Sequence, residues 1–156
     1  MIWDTNLRNG VCGLEFDRRD IKMNKLIATT LEGKVHLYDM RTHHVELGYT
    51  GLVEAIGKNT IWGVKHLPQN RDIFGIMGGD GNMTVYKYHY PAQRQVLDAN
   101  NKPKGVAGYV EKLNDCNVCQ QPISGFDWSP DKLGLAALCG LDQTVKVLIT
   151  TKLNLY

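Results

Sequence analysis

One pattern occurs three times along the chain and constrains its fold more than any other feature. The copies span residues 32–39, 80–87 and 142–149. Each opens with an acidic residue at a tight-turn signal and continues with alternating polar and apolar positions, which is typical of a half-buried β-strand. A pattern that recurs at intervals of this size indicates stacked structural units rather than a single continuous core.

Two further strand-like segments precede each copy. An alternating segment starts at Gly13, Gly63 and Gly125, and a run of small and apolar residues follows at 26–30, 73–77 and 135–139. Each unit is therefore predicted to contain strand, loop, strand, tight turn and strand. A fourth strand fits before each unit, at 2–7, 45–50 and 106–113.

Four-stranded units of about 40–50 residues that end in this turn and strand are typical of the blades of a WD-repeat β-propeller. The sequence thus predicts an all-β fold with about three four-stranded antiparallel blades, at 1–40, 41–90 and 106–151. Residues 91–105 are polar and contain two prolines, so they are predicted to form an exposed insertion.

The acids that open the three copies are predicted to be structural. A carboxylate at a tight turn accepts hydrogen bonds from backbone N–H groups, and a glycine supplies the backbone conformation that the turn needs. Catalytic residues do not usually recur once in every repeated unit, so the repetition also argues against a catalytic role for these acids. The turn acids are Glu32, Asp80 and Asp142.

Three blades cannot close a propeller, because closed propellers have about 4–8 blades. An open arc exposes two sheet faces that would otherwise pack on neighbouring blades. The sequence therefore predicts that these faces are covered by missing blades of the same propeller or by a second copy of the chain.

Composition argues against several other classes of function. Eighteen Lys and Arg residues oppose sixteen Asp and Glu residues, so no charge excess favours nucleic acid or membranes. Cys116 and Cys119 form one C-x-x-C pair without the second pair that a zinc site needs, and no glycine-rich phosphate loop occurs. We expect no enzyme activity, no metal, no cofactor and a cytoplasmic location.

Several less generic motifs resemble one family of WD-repeat proteins. They lie at 9–17, 31–34, 39–42, 66–71, 105–108, 121–124, 127–132, 142–145 and 151–154. Together they resemble the C-terminal half of proteins of the Monad family, which is the family of WD repeat-containing protein ninety-two. Relative to that family, the first four blades are absent. The resemblance extends from Trp3 to Asn154.

The resemblance implies a seven-bladed propeller that serves as a non-catalytic scaffold for axonemal dynein assembly in the cytoplasm of cells with cilia. The implied protein partners are dynein chains and the co-chaperone complex of RuvB-like ATPase, TPR, PIH-domain and prefoldin-like subunits. A link to apoptosis is also implied.

The longer loops are predicted to share one face of the blades, because the first-to-second and third-to-fourth strand loops of a propeller lie on one side. Long loops on a rigid scaffold are frequent binding sites. Seven basic residues on these loops form the candidate partner face: Arg18, Arg19, Lys22, Arg41, His44, Arg94 and Lys102. A solvated rim is the alternative interpretation of the same residues.

Two other functions stay open from the residues alone. A propeller of this class could recognise a modified peptide, such as a histone tail or ubiquitin, on its short-turn face. A propeller enzyme would need polar residues repeated on the first strands near the axis. Those strands instead carry residues that suit packing, such as Leu14, Val64, Phe126 and Trp128.

Overall fold

The computed structural model describes residues 3–17, 22 and 24–156. Within them lie thirteen β-strands and one 3-10 helical turn, Leu153–Leu155. The strands, in chain order, are β1 (Val11–Phe16), β2 (Lys25–Thr30), β3 (Lys34–His44), β4 (Gly48–Ala55), β5 (Ile61–Leu67), β6 (Asn70–Gly78), β7 (Asn82–His89), β8 (Gln95–Leu97), β9 (Pro103–Gly105), β10 (Tyr109–Asn117), β11 (Ile123–Trp128), β12 (Leu135–Gly140) and β13 (Val145–Ile149). In this part of the chain no helix is long and apolar enough to cross a membrane.

The strands form three sheets and a separate hairpin. The first sheet has the order β1-β2-β3-β4, the second β10-β7-β6-β5 and the third β11-β12-β13. Every neighbouring pair is antiparallel. This is the predicted all-β fold of antiparallel blades, and sheets one and two have the predicted four strands.

The fourth strands belong to different sheets from those that the repeat boundaries imply. β4 pairs with β3, and β10 pairs with β7, so each completes the sheet before it rather than the unit after it. The sheets therefore span 11–55, 61–117 and 123–149. A boundary between residues 40 and 41 would cut through β3, which continues to His44.

The predicted leading strand at 2–7 is wrong for the residues that the structure describes. Residues 3–7 form no strand. Trp3 instead packs edge-on against Tyr38 and Tyr49, at ring-centroid distances of 4.9 and 5.5 Å. At this position the chain contacts sheet one through aromatic side-chain packing rather than through backbone hydrogen bonds.

Two apolar cores lie between consecutive sheets. Ile27 and Leu37 of sheet one pack against Phe74 and Ile76 of sheet two. The opposite face of sheet two packs Ile73 and Val85 against Phe126, Trp128 and Leu138 of sheet three. The three sheets are thus stacked face to face, as in successive blades of a propeller.

The two end faces of this stack are exposed, as the sequence predicts for an open arc. On sheet one, Leu14 and Val53 are 65% and 56% exposed. On sheet three, Val145 and Val147 are 79% and 71% exposed. These side chains alternate with the ones that enter the cores, because successive residues of a strand point to opposite faces.

Residues 91–105 form a short hairpin rather than an irregular loop. β8 pairs with β9, and Gly105 is buried against Thr42 and Thr50 of sheet one. The insertion therefore adds a further contact between sheets one and two, because it starts after β7 of sheet two and packs on sheet one.

Candidate partner-binding face

The longer loops gather at one end of the stacked sheets. We define the long-loop face by residues 17, 22, 24, 45–47 and 90–108. The short-turn face lies at the other end and carries the turns at 31–33, 79–81 and 141–144. The two faces differ in how their polar side chains are used.

A buried lysine holds the first two sheets together at the long-loop face. The Lys25 side chain is fully buried at the start of β2. Its Nζ donates to the Arg71 carbonyl at 2.6 Å and to the Tyr90 hydroxyl at 3.1 Å. It also lies 3.3 Å from carboxylate oxygens of both Asp17 and Asp72.

The charges of this cluster compensate one another. The pKa of Asp17 is lowered: burial acts to raise it, but the Arg71 hydrogen bond at 3.0 Å and the Lys25 ammonium outweigh that effect. Burial lowers the pKa of Lys25, and the two aspartates oppose this. Removing one partner of such a buried pair typically costs about 3–5 kcal/mol, since the other charge stays buried.

Tyr90 connects this cluster to the predicted residue Arg41. The Arg41 guanidinium lies 4.3 Å from the centre of the Tyr90 ring, in a cation–π contact. The same guanidinium forms a forked ion pair with the carboxylate of Asp39. That hydrogen-bonded pair raises the pKa of Arg41. Arg41 is therefore largely neutralised within the fold and only partly exposed.

His44 is a buried anchor rather than an exposed contact residue. Its side chain is 2% exposed, and its Nε2 lies 3.0 Å from Oδ2 of Asp98 in the hairpin. The backbone amides of Glu46 and Leu47 donate to its Nδ1 at 3.1 and 3.0 Å. Because Nδ1 accepts, the proton of the neutral ring lies on Nε2 and is donated to Asp98. The prediction that Arg41 and His44 lie in a loop is wrong, since both belong to β3.

Two further contacts hold the hairpin on sheet one. Arg94 donates from Nε to the Thr42 hydroxyl at 3.3 Å and from its terminal nitrogen to the Arg41 carbonyl. Lys102 forms an ion pair with Glu46 in the turn between β3 and β4. Each contact joins residues more than fifty positions apart, so local sequence patterns do not predict it.

The structure brings together four of the seven predicted partner-face residues, namely Arg41, His44, Arg94 and Lys102. Lys22 is exposed, and its carbonyl accepts a hydrogen bond from Arg71 at 2.6 Å. Arg18 and Arg19 lie outside the described residues. Sequence reasoning missed Lys25 and Asp98, because a single lysine or aspartate beside a strand gives no signal of a distant partner.

The turn acids differ in what they bind. Oδ1 of Asp80 accepts from the Asn82 amide at 3.1 Å. Oδ1 of Asp142 accepts from the Thr144 amide at 3.2 Å, and its Oδ2 accepts from the Gln120 amide at 3.1 Å. Glu32 instead pairs with the Lys34 ammonium at 3.3 Å.

Asp142 is the turn acid with the strongest electrostatic signature. The Thr144 hydroxyl donates to it at 2.6 Å, and this bond is the main reason that its pKa is lowered to about 2. Nearby backbone amides and Lys146 act in the same direction. Every one of these contacts fixes the turn to its own sheet or to the preceding connection.

The four cysteines are free thiols. Cys119 is buried, whereas Cys116 is exposed. Within residues 3–17, 22 and 24–156, no group of three or more His, Cys, Asp or Glu residues is arranged to hold a metal ion.

Comparison with known proteins then gives one consistent result. A curated relative from Xenopus tropicalis is 57% identical over 152 residues, which is 97% of this chain. The relative from Chlamydomonas reinhardtii is 54% identical over 153 residues, and the one from Homo sapiens is 54% identical over 152 residues. The chain is similar to dynein axonemal assembly factor 10. No protein-family model matches it.

The match does not extend over the full relatives. The chain spans 42% of the length of the Xenopus tropicalis dynein axonemal assembly factor 10 and 43% of the human one. The relatives carry the dynein-assembly description that the resemblance implies. The name Monad and the seven-blade count stay predictions.

Solved structures support the fold. Sqt1 from Chaetomium thermophilum, a WD-repeat propeller protein, matches with a TM-score of 0.64 and 16% identity. That match covers 92% of this chain and 33% of Sqt1, which in this structure is bound to the N-terminus of a ribosomal protein. Unbound Sqt1 matches with a TM-score of 0.63 and covers 90% of this chain. The chain therefore has the fold of part of a WD-repeat β-propeller.

Proposed function

We propose that this chain is part of a non-catalytic WD-repeat scaffold that assists the assembly of axonemal dynein in the cytoplasm. The observation that carries the proposal is the 57% identity, over 97% of the chain, to a protein named dynein axonemal assembly factor 10.

The use of the charged side chains supports a scaffold. Lys25 and Arg41 of sheet one contact Asp72 of sheet two and Tyr90, the residue after β7, and His44 contacts Asp98 of the hairpin. Such contacts fix the positions of loops, which is what a rigid binding platform needs.

The finer part of the proposal concerns the partners. Following the resemblance, the scaffold acts with the RuvB-like ATPase, TPR, PIH-domain and prefoldin-like co-chaperone complex and with axonemal dynein chains, in cells that build cilia. The apoptosis link belongs to the same resemblance. The missing propeller surfaces come from further blades or from a second copy.

We place partner binding on the long-loop face. Arg94 and the hairpin are exposed there, and the hairpin is held by three separate contacts to sheet one. A fixed element that projects from a rigid sheet loses little conformational entropy on binding.

The test is a pull-down of the tagged chain from ciliated cells, with quantitative detection of dynein chains and RuvB-like ATPases. We expect Arg94→Glu to lower recovery by about fivefold or more, as for a central contact residue. Lys58→Glu makes the same charge change at an exposed residue between β4 and β5, away from the long-loop face, and should have no effect.

Failure to recover either dynein chains or RuvB-like ATPases with the unmodified chain would contradict the proposed function. Recovery of chromatin or ubiquitin conjugates instead would favour the modified-peptide reader. Equal losses from both variants would argue against the long-loop face alone.

A further inference from the structure

The hairpin at 95–105 has one edge that no other described strand covers. β9 lies beside β3 and β4, whereas β8 has only β9 as its neighbour. β8 is thus the outer strand of a two-stranded sheet, and such an edge carries unpaired backbone groups.

The direction of those groups follows from the hydrogen bonds at both ends of the hairpin. The Arg94 carbonyl accepts from the Val106 amide at 3.1 Å, and the Asp98 amide donates to the Lys102 carbonyl at 2.9 Å. Residues 94, 96 and 98 therefore direct their backbone groups toward β9. By alternation, Gln95 and Leu97 direct theirs to the uncovered edge.

The side chains of β8 are also unlike those of a protected edge. Natural edge strands are usually blunted by lysine, proline or an inward charge. Here Pro103 and Lys104 lie on β9, the inner strand, while β8 has Gln95, Val96 and Leu97. Val96 and Leu97 are 42% and 65% exposed.

The β3–β4 turn, which contacts the hairpin through Glu46, also exposes apolar side chains. Val45 and Leu47 are exposed there, on either side of Glu46, whose carboxylate pairs with Lys102 of the hairpin. The contacts that fix the hairpin are polar, whereas the apolar side chains Val96 and Leu97 of its outer strand are exposed. A loop that is held in one orientation on a rigid scaffold is typical of a binding element.

The charge around the edge is positive. The fifteen residues 91–105 carry Arg94, Lys102 and Lys104 against Asp98, so three minus one gives +2. Arg94 donates to neutral oxygens, and Lys104 has no carboxylate partner among the described residues. Both leave a positive charge available to a ligand, whereas the charge of Lys102 is balanced by Glu46.

We propose that the outer edge of β8 binds an extended, acidic segment of a partner protein by adding it to the hairpin as a third strand. The backbone of Gln95 and Leu97 pairs with the segment. Because successive residues of a strand point to opposite faces, the apolar side chains of the segment pack on Leu97, and its carboxylates lie on the face that carries Arg94 and Lys104. This mode is β-strand addition, in which main-chain hydrogen bonds give affinity and alternate side chains give specificity. It rests on the proposed function, because it describes how the long-loop face engages a partner.

The test uses a synthetic nine-residue peptide that alternates Asp or Glu with Val or Ile, and the same peptide with Lys at every acidic position. Binding to the full chain is measured by fluorescence anisotropy, and backbone amides are followed by nitrogen-15 NMR. We expect the acidic peptide to bind about tenfold more tightly than the basic one. The amide signals of Gln95 and Leu97 should shift and become protected from exchange.

Variants separate the backbone contribution from the side chains. Leu97→Pro removes an N–H that points away from β9, so the hairpin keeps its own bonds, and affinity should fall by about tenfold. Leu97→Ala keeps that N–H and should lose less. Lys104→Glu should weaken the acidic peptide, whereas Lys58→Glu, remote from the hairpin, should not.

Three results would overturn the inference: no binding of the acidic peptide, equal binding of both peptides, or binding that Leu97→Pro leaves unchanged. The pull-down distinguishes this failure from failure of the proposed function. If Leu97→Pro still recovers dynein chains at the unmodified level, strand addition is wrong and the scaffold stands. If the peptide binds but the unmodified chain recovers no dynein chains or ATPases, the scaffold proposal fails instead.

Discussion

The turn between β6 and β7 depends on a backbone conformation that glycine adopts at low energetic cost. Gly81 has a φ of +80°, and a Cβ there would lie 1.9 Å from the Cys119 carbonyl oxygen. The Gly81 carbonyl also accepts hydrogen bonds from the amides of Val118 and Cys119. This single residue therefore fixes both its own turn and the connection from β10 to β11.

We expect Gly81→Ala to destabilise the chain by about 2–4 kcal/mol, from the left-handed backbone and the steric overlap together. Gly57→Ala is the matched control, because a Cβ there meets no atom within 4 Å. Its effect should stay within about 0.5 kcal/mol. Urea denaturation of the three proteins measures the difference, and equal midpoints for the two variants would contradict the argument.

Asp142 makes the stability of the chain depend on pH in the acid range. Its folded-state pKa of about 2 lies below the unfolded value, so its contribution is fully present above about pH 4. That contribution is lost as the pH falls toward 2, because the folded state then has to take up the proton at a cost.

Asp142→Asn should therefore lower the thermal midpoint at pH 7, and the gap to the unmodified chain should close between about pH 4 and 2. Asp131→Asn, at an exposed aspartate between β11 and β12, should leave the midpoint unchanged. Melting curves across this pH range give the comparison. A gap that stays constant down to pH 2 would show that the carboxylate charge is not the cause.

At the scale of elements, the hairpin of β8 and β9 is held by side chains from another sheet. His44 accepts two amide hydrogen bonds within its own turn and donates to Asp98 of the hairpin. The Lys102 amide, with His44, lowers the pKa of Asp98 and keeps it charged. One buried imidazole therefore orders two loops at once.

His44→Ala should free the hairpin without unfolding the sheets. We expect the amides of residues 95–105 to exchange roughly tenfold faster, since one strong hydrogen bond is worth about 1.4 kcal/mol. His43→Ala, a change of the same type at the exposed neighbour, is the control. Hydrogen exchange measured by mass spectrometry gives the exchange rates of these amides in both variants. Equal rates in the two variants would mean that His44 does not anchor the hairpin.

At the scale of the whole molecule, the two exposed end faces of the stack are the features that favour association. Among the described strands, sheet three has three, of which β13 has no neighbour on its outer side and exposes an apolar face. Sheet one exposes Leu14 and Phe16 at the other end. Apolar surface of this kind favours association with a neighbouring blade.

The isolated chain should therefore self-associate as its concentration rises, and Val147→Lys should shift it toward the monomer by placing a charge on the sheet-three face. Val45→Lys introduces the same residue at an exposed valine of the β3–β4 turn and should have little effect. Sedimentation velocity over a concentration series measures this. A monomer at high concentration for the unmodified chain would rule out pairing through these faces.

Much of the architecture could be predicted from local sequence patterns. Alternation predicts the blade strands, and the turn acids mark the start of β7 and β13, because a strand's two faces and a tight turn are set by residues a few positions apart. The end faces follow from the repeat count by geometry. The position of the longer loops at one end of the sheets was also predictable, whereas their role in partner binding stays a prediction.

What the sequence by itself determined is the repeating unit of three strands with its tight turn, since turn chemistry and alternation act over a few residues. Only the tertiary structure decided that β4 and β10 complete the preceding sheets, that Lys25 is buried between two aspartates, and that His44 is an anchor rather than a contact residue. The physical reason is that burial and polar pairing depend on partners up to 65 positions away, which come together only when the sheets stack.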